Sequence, residues 1–264
     1  MSLRITILGC GSSGGVPRVG GDWGDCDPAN PKNRRRRCSI MLEQKGPNGI
    51  TRVLIDSSPD LREQMLSTGV SEIDGVWYTH EHADHTHGID ELRGFFLRMR
   101  RKVPIWADAP TTAVLMSRFA YCFASPEGSD YPPILRHHAL TAGSRFGTDG
   151  AGGTITALPF NMRHGNIMAL GFRIGNIAYS PDVNDLDDEA VAALQGLDLW
   201  IVDALRRTPH PSHFSLPETL AWIERVKPKR AILTNMHIDL DYETLLRELP
   251  QNVKPAYDGL VIET

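Results

Sequence analysis

Little in the 264-residue sequence points outside a reducing, aqueous compartment. Its four cysteines, Cys10, Cys26, Cys38 and Cys122, are scattered with no CxxC pair, so the disulfide framework of a small secreted domain is not expected. No apolar run approaches the roughly 18 residues that span a bilayer, and the stretch after Met1-Ser2-Leu3-Arg4 ends at Gly9, too short for an anchor. A cytoplasmic protein with no membrane partner is the expectation. The formal net charge is only -4, which argues against a surface wholly given over to nucleic acid, though a local basic patch remains compatible. No fixed-length repeat or dividing linker is visible. With 41% hydrophobic and 23% charged residues, residues 1–264 read as a single domain with an adequate core.

What is present is an alternation of short apolar runs with helix-period segments, the pattern of helices covering a buried sheet. The class is α/β. Strands are predicted over 3–8, 52–56, 75–79 and 103–107, then 154–160, 171–179, 198–203, 230–235 and 259–263. Helices are predicted over 59–68, 110–122, 187–195, 216–226 and 241–249. Ser215 followed by Glu218 is a capping-box signature, which puts His213 in the loop just before a helix. Residues 123–150, rich in Gly, Pro, Ser and Asp, show no clean period and read as a surface excursion or lid.

Of ten histidines, His80, His82, His85 and His87 fall within eight residues. Their count says less than their position. The run Thr79-His80-Glu81-His82-Ala83-Asp84-His85 directly follows an apolar strand, so its polar side chains emerge at a sheet end, where ligands bind. His80 and His82, two apart on extended backbone, point the same way and can share one metal ion. Asp84 and His85 follow the turn and can face a second. The helical zinc-protease pattern H-E-x-x-H fails because position 84 is Asp. His87 alone reads as a surface or satisfied polar residue.

The pattern His80-x-His82-x-Asp84-His85 resembles the signature of the metallo-β-lactamase superfamily. Three later landmarks come in the family's order: His164 after strand 154–160, Asp182 in Tyr179-Ser180-Pro181-Asp182, and His237 after strand 230–235. The resemblance implies an αββα sandwich, two mixed sheets flanked by helices, with the metal site at one sheet edge. It also implies a division of ligands: His80, His82 and His164 on one ion, Asp84, His85 and His237 on the other, and Asp182 bridging. Such donors suit zinc, manganese or iron, and the lack of a ligating cysteine disfavours a soft thiolate site; two divalent ions, zinc or manganese, are expected. Asp56 and Asp203, at strand ends, are candidates to orient ligand histidines.

Two ions about 3.5–4 Å apart can deprotonate a bridging water and clamp a phosphoryl group for in-line attack, or attack a carbonyl. His82, where the di-iron oxidase variant carries a carboxylate, disfavours oxygen chemistry. The segment Arg206–Ser215 supplies His213, which resembles the extra histidine of the phosphodiesterase branch, whose members include the tRNA 3′-end endonuclease and the cyclic phosphodiesterase associated with carbon-phosphorus lyase. The resemblance implies that His213 binds phosphate and protonates the leaving oxygen. Asp84 is counted with His213 as catalytic, and His210 is a poorer candidate. Gly9-Cys10-Gly11-Ser12-Ser13-Gly14-Gly15 mimics a dinucleotide fingerprint but opens no helical face. It looks instead like the amino terminus of that branch, with Ser12 and Ser13 placed to offer backbone N–H groups to phosphate. The cyclic phosphodiesterase relative also carries a structural zinc built from clustered cysteines and a later histidine. Here only Cys26 and Cys38 occupy that loop and Leu240 stands at the later position, so that zinc is not expected.

Arg34–Arg37 after Lys32, and Arg93, Arg98, Arg100, Arg101 and Lys102 after the histidine run, are basic segments of the kind that usually form solvated faces. The second includes Phe95 and Phe96, and Arg93 is placed to receive phosphate. A small phosphodiester or nucleotide is the expected substrate, an RNA end another, and the resemblance is compatible with a homodimer. His137 and His138 read as surface residues. An acyl hydrolase acting on a thioester or lactam, and a non-catalytic nucleotide- or RNA-binding module, are the alternatives.

Overall fold

A computed structural model describes residues 3–264. Two seven-stranded mixed sheets face each other, as the αββα expectation requires. The first takes β1 (Leu3–Gly9), β2 (Ser39–Gly46), β3 (Gly49–Ile55), β4 (Gly75–Trp77), β5 (Val103–Ala107) and β6 (Leu135–Ala139). The second takes β7 (Phe146–Thr148), β8 (Ile155–His164), β9 (Ile167–Ile174), β10 (Ile177–Ser180), β11 (Leu199–Asp203), β12 (Arg230–Thr234) and β13 (Val253–Pro255). The last strand, β14 (Val261–Glu263), returns to pair antiparallel with β1 and completes the first sheet.

The period-two alternation of side chains sorts consecutive residues into different layers. Ile40, Leu42, Val53, Ile55 and Trp77 point between the sheets, where Leu170, Phe172 and Tyr179 meet them. Their neighbours Met41, Leu54, Val76 and Tyr78 point outward under the helices. Trp77 ties the sheets together: its ring is 4.8 Å from that of Phe146 and 5.5 Å from that of Phe172, and its Nε1 donates to Thr148 Oγ1 at 2.9 Å.

The helices are α1 (Leu61–Thr68), α2 (Ala83–Thr86), α3 (Leu92–Met99), α4 (Ala109–Arg118), α5 (Ala120–Phe123), α6 (Asp188–Ala193), α7 (Leu216–Val226) and α8 (Tyr242–Glu248). Helix α7 begins where the capping box puts it, with Ser215 N donating to Glu218 Oε2 at 2.8 Å. Among the described residues no helix is long and apolar enough to cross a membrane.

Several expectations need correction. The strand over 171–179 is two strands, β9 and β10, because Gly175 takes a positive φ of 59° and turns the chain back on itself. The helix over 110–122 breaks at Phe119, whose φ of -129° is not helical. Residues 123–150 are not one irregular excursion: they hold β6 and β7, edge strands of the two sheets. Strands β2 and β13 and helix α3 were not anticipated.

Candidate functional site

Strands β10, β11 and β12 run parallel, and so do β3, β4 and β5. Their carboxyl ends therefore open on a common edge, where the polar residues following each strand gather. The histidine run follows β4, His164 closes β8, Asp182 follows β10, Asp203 ends β11, and Asn235 and His237 follow β12. A cavity of about 430 Å³ lies there, lined by Ser12, Ser13, His82, Asp84, His213 and His237 among others.

Three sets of donor atoms converge at its floor: His80, His82 and His164; His80, His85 and Asp182; and His164, Asp182 and His213. His82 Nδ1 and His164 Nε2 are 3.1 Å apart. The two oxygens of Asp182 are divided: Oδ1 lies 3.1 Å from His85 Nε2, while Oδ2 lies 3.6 Å from His164 Nε2 and 3.9 Å from His80 Nε2. Asp84 Oδ2 stands 3.6 Å from His85 Nε2. Donors about 2.0–2.1 Å from a tetrahedral ion are separated by about 3.3 Å, so these spacings suit a shared cation. His80 Nε2 and His85 Nε2 are buried without an aligned hydrogen-bond partner, which is costly for a polar group unless a ligand engages it. The donors are imidazoles and carboxylates, and they fit divalent metal ions.

Three of the ligand-type histidines are held from behind. Thr79 Oγ1 lies 2.9 Å from His80 Nδ1, and the Ser212 carbonyl accepts from His164 Nδ1 at 2.6 Å, which turns His164 Nε2 toward His82 and Asp182. His85 Nδ1 meets Asp56 Oδ2 at 2.7 Å, and the same carboxylate accepts from Thr79 N and Thr79 Oγ1, both at 2.8 Å. His213 Nδ1 meets Asp203 Oδ2 at 2.8 Å. The strand-end carboxylates Asp56 and Asp203 thus touch ligand-type and cavity histidines as expected.

Burial shapes the charges. It drives His80 well below the usual imidazole range and lowers His164, keeping both neutral and able to ligate. Burial opposes charge on Asp182 as well, yet His85, His213 and His80 hold its carboxyl well below the usual range. Burial pushes Asp203 up to about 7; His213, despite burial, is pushed up to about 9 by Asp203. Both shifts favour the protonated forms: burial on the carboxyl, and the Asp203 hydrogen bond on the imidazole.

Other expected site residues divide. Ser12 and Ser13 line the cavity. His237 lines it too but joins none of the three donor sets, because its Nε2 meets the Arg18 guanidinium and its Nδ1 lies 3.0 Å from Asp239. Arg93 is a correction: it is not among the cavity-lining residues, because α3 carries it elsewhere and its guanidinium is bound to Asp90 at 2.7 Å. His137 binds Thr112 Oγ1 and His138 stacks on Trp106, both in the β6 region. His87 packs edge-on against Phe119.

Two cavity-lining positions were missed, Asn235 and Arg18. Asn235 Nδ2 lies 3.2 Å from Asp203 Oδ1 and 3.4 Å from Asp182 Oδ1, linking both carboxylates. Its place at the end of an apolar strand, two residues before His237, was the available signal. Asn235 and Asp56 both take left-handed φ values, 58° and 64°, a cost that non-glycine residues bear where a site requires it. Arg18 had no signal beyond a Gly- and Pro-containing loop.

In comparison with known proteins, the description "Beta-lactamase superfamily domain" matches residues 51–238. A curated octanoyltransferase of Porphyromonas gingivalis (strain ATCC BAA-308 / W83) is 30% identical over 263 residues, covering 98% of this chain and 51% of that protein. The chain thus spans about half the length of that relative. Among solved structures, a diphosphatase from the PhnP family is 35% identical with a TM-score of 0.89, covering 100% of this chain and 98% of that one. The zinc-bound PqqB from Methylobacterium extorquens is 17% identical with a TM-score of 0.74, covering 98% and 99%, a likeness of fold alone.

Proposed function

The chain belongs to the metallo-β-lactamase superfamily, in its phosphodiesterase branch, and from that premise we propose a binuclear metal-dependent hydrolase that cleaves a cyclic or small phosphodiester, a nucleotide being the favoured kind. The observation that carries this reading is the placement of His213. Its Nδ1 is committed to Asp203, so Nε2 is the nitrogen left for substrate, in a cavity whose floor is the divided carboxylate of Asp182.

These side chains would hold two divalent ions, zinc or manganese, with His80, His82 and His164 on one, His85, Asp84 and His237 on the other, and Asp182 between them, His237 being the one whose ring also meets Arg18. Bound there, such ions supply Lewis-acid charge and lower the pKa of water. The protein's own groups supply the rest. The Ser12–Ser13 segment orients the phosphoryl group, and Arg18, Arg206 and His210 add positive or donor groups around the cavity. His213 protonates the departing oxygen from Nε2 while Asp203 fixes its tautomer and stabilises its charge. Asn235 keeps both carboxylates in register.

The octanoyltransferase relative favours a second reading, acyl chemistry on a thioester or related carbonyl. Half of that protein lies outside the match, and the cavity here is rimmed by arginine, serine and histidine rather than by the apolar wall that an acyl chain seeks. A third alternative keeps the fold and metals but binds nucleotide or RNA without turnover. Metal-loaded protein offered bis(p-nitrophenyl) phosphate, a thioester and a chromogenic lactam separates these. Preference for the phosphodiester, lost in His213→Ala, is the expected result; preference for either carbonyl substrate would overturn the proposal, and binding without turnover would favour the module.

A further inference from the structure

Arg35 is 2% exposed and among the largest side chains buried in the protein. Its neighbours Arg36 and Arg37 are paired with Asp258 and Asp60. Arg35 meets no carboxylate at ion-pair distance among the described residues, and its Nε has no hydrogen-bond partner. Its guanidinium instead donates to the backbone carbonyls of Leu240 at 2.6 Å and His237 at 3.2 Å, with Asn33 Oδ1 at 3.4 Å and Cys26 Sγ at 3.8 Å completing its surroundings. A buried cation satisfied mainly by carbonyl dipoles is expensive to keep.

The two carbonyls are the two ends of one turn. The chain leaves β12, passes His237 and reaches Leu240, whose N–H points back to the His237 carbonyl at 3.3 Å. That turn aims the His237 imidazole: His237 N donates to Leu205 O at 2.9 Å, and its Nδ1 is steadied by Asp239. Asn33 extends the contact, because its Nδ2 donates to Asp241 Oδ2 at 2.6 Å and its Oδ1 accepts from Tyr242 N at 2.8 Å, at the start of α8. Cys26 and the backbone of Leu240, which offer too few donors for a structural zinc, are joined by the guanidinium.

We propose that Arg35 is a positioning residue for His237, a guanidinium clip that fixes the 237–240 turn against the amino-terminal loop so that His237 Nε2 faces the cavity. A planar fork presents separate nitrogens to the two carbonyls; a lysine is a single compact point donor there, and a methionine donates to neither. The inference rests on the reading of His237 as a ligand of the second ion.

The test titrates chelator-stripped protein with zinc by calorimetry, beside steady-state kinetics and thermal melts, for wild type, Arg35→Met, Arg35→Lys and His237→Ala. In the methionine variant the first ion should bind as in wild type and the second about 10–100-fold more weakly, with kcat reduced at unchanged KM and recovered by excess zinc. The lysine variant should fall between, and it decides the matter if the methionine variant does not fold. Wild-type affinity for both ions and wild-type kcat, with only a lowered melting temperature, would overturn the proposal. If His237→Ala loses the second ion while the Arg35 variants keep it, Arg35 alone is misassigned; if His237→Ala keeps both ions, the ligand reading fails and the proposal falls with it.

Discussion

Asp56 holds His85 Nδ1 at 2.7 Å while itself lying in the left-handed region at a φ of 64°. The strain and the hydrogen bond belong together. One buried carboxylate takes Thr79 N, Thr79 Oγ1 and His85 Nδ1, and only the turn that follows β3 brings it beneath the histidine run.

Asp56→Asn keeps the shape and tolerates the backbone but turns one acceptor into a donor facing donors. Metal affinity should fall about 10–100-fold, and stability by about 1–3 kcal/mol. Zinc titration of stripped protein and chemical denaturation read the two effects separately.

Asp203→Asn should lower kcat on bis(p-nitrophenyl) phosphate by about 10²–10⁴-fold, the span typical of a lost general acid. Metal content by elemental analysis should stay at the wild-type level. Because Asp203 acts through His213, adding His213→Ala should cost little more, a non-additivity that a double-mutant cycle measures.

His80→Ala removes a side chain shared by two of the three donor sets. Purified variant should lose most bound metal and essentially all turnover. In the wild type a chelator should abolish activity, and zinc or manganese should restore it; turnover indifferent to chelation would contradict a metal-dependent reaction.

Acid stability has a contributor outside the cavity lining. Although burial opposes it, hydrogen bonds from Thr244 N, Asn33 and Asp27 N bring the Asp241 carboxyl down to about 2. A folded pKa below the unfolded value near 3.9 adds stability that is fully present above about pH 4 and lost as pH falls toward 2. Asp241→Ala, which also removes the amino-terminal cap of α8, should destabilise by about 1 kcal/mol at neutral pH and flatten the dependence of melting temperature on pH between 4 and 2.

The sequence made the parts with strong local chemistry legible. The Ser215–Glu218 pair marks α7 to the residue, and an apolar run before four clustered ligand types marks the site. Asp56 and Asp203 stood out as carboxylates where apolar strands end. What escaped depends on partners distant in the chain. Strand β6, Leu135–Ala139, carries Arg136, His137 and His138 and shows no apolar face, because an edge strand is half solvated. Helix α3 hid inside a run read for its charge and its two phenylalanines, and the same charge suggested a phosphate role for Arg93, which lies outside the cavity lining and pairs with Asp90. The Arg34–Arg37 run looked uniform, yet the fold gives Arg34 to the Trp23 ring, buries Arg35, and pairs Arg36 and Arg37 with carboxylates. No local pattern distinguishes four such neighbours.

The candidate ligands come from both halves of the sandwich: His80, His82 and His85 behind the first sheet, His164 and Asp182 behind the second. Cations seated among them would act as rivets across the seam, so chelation should loosen the whole molecule as well as silence it. Such a seat would also order assembly: with the donors split between the sheets, high-affinity metal capture would follow their docking.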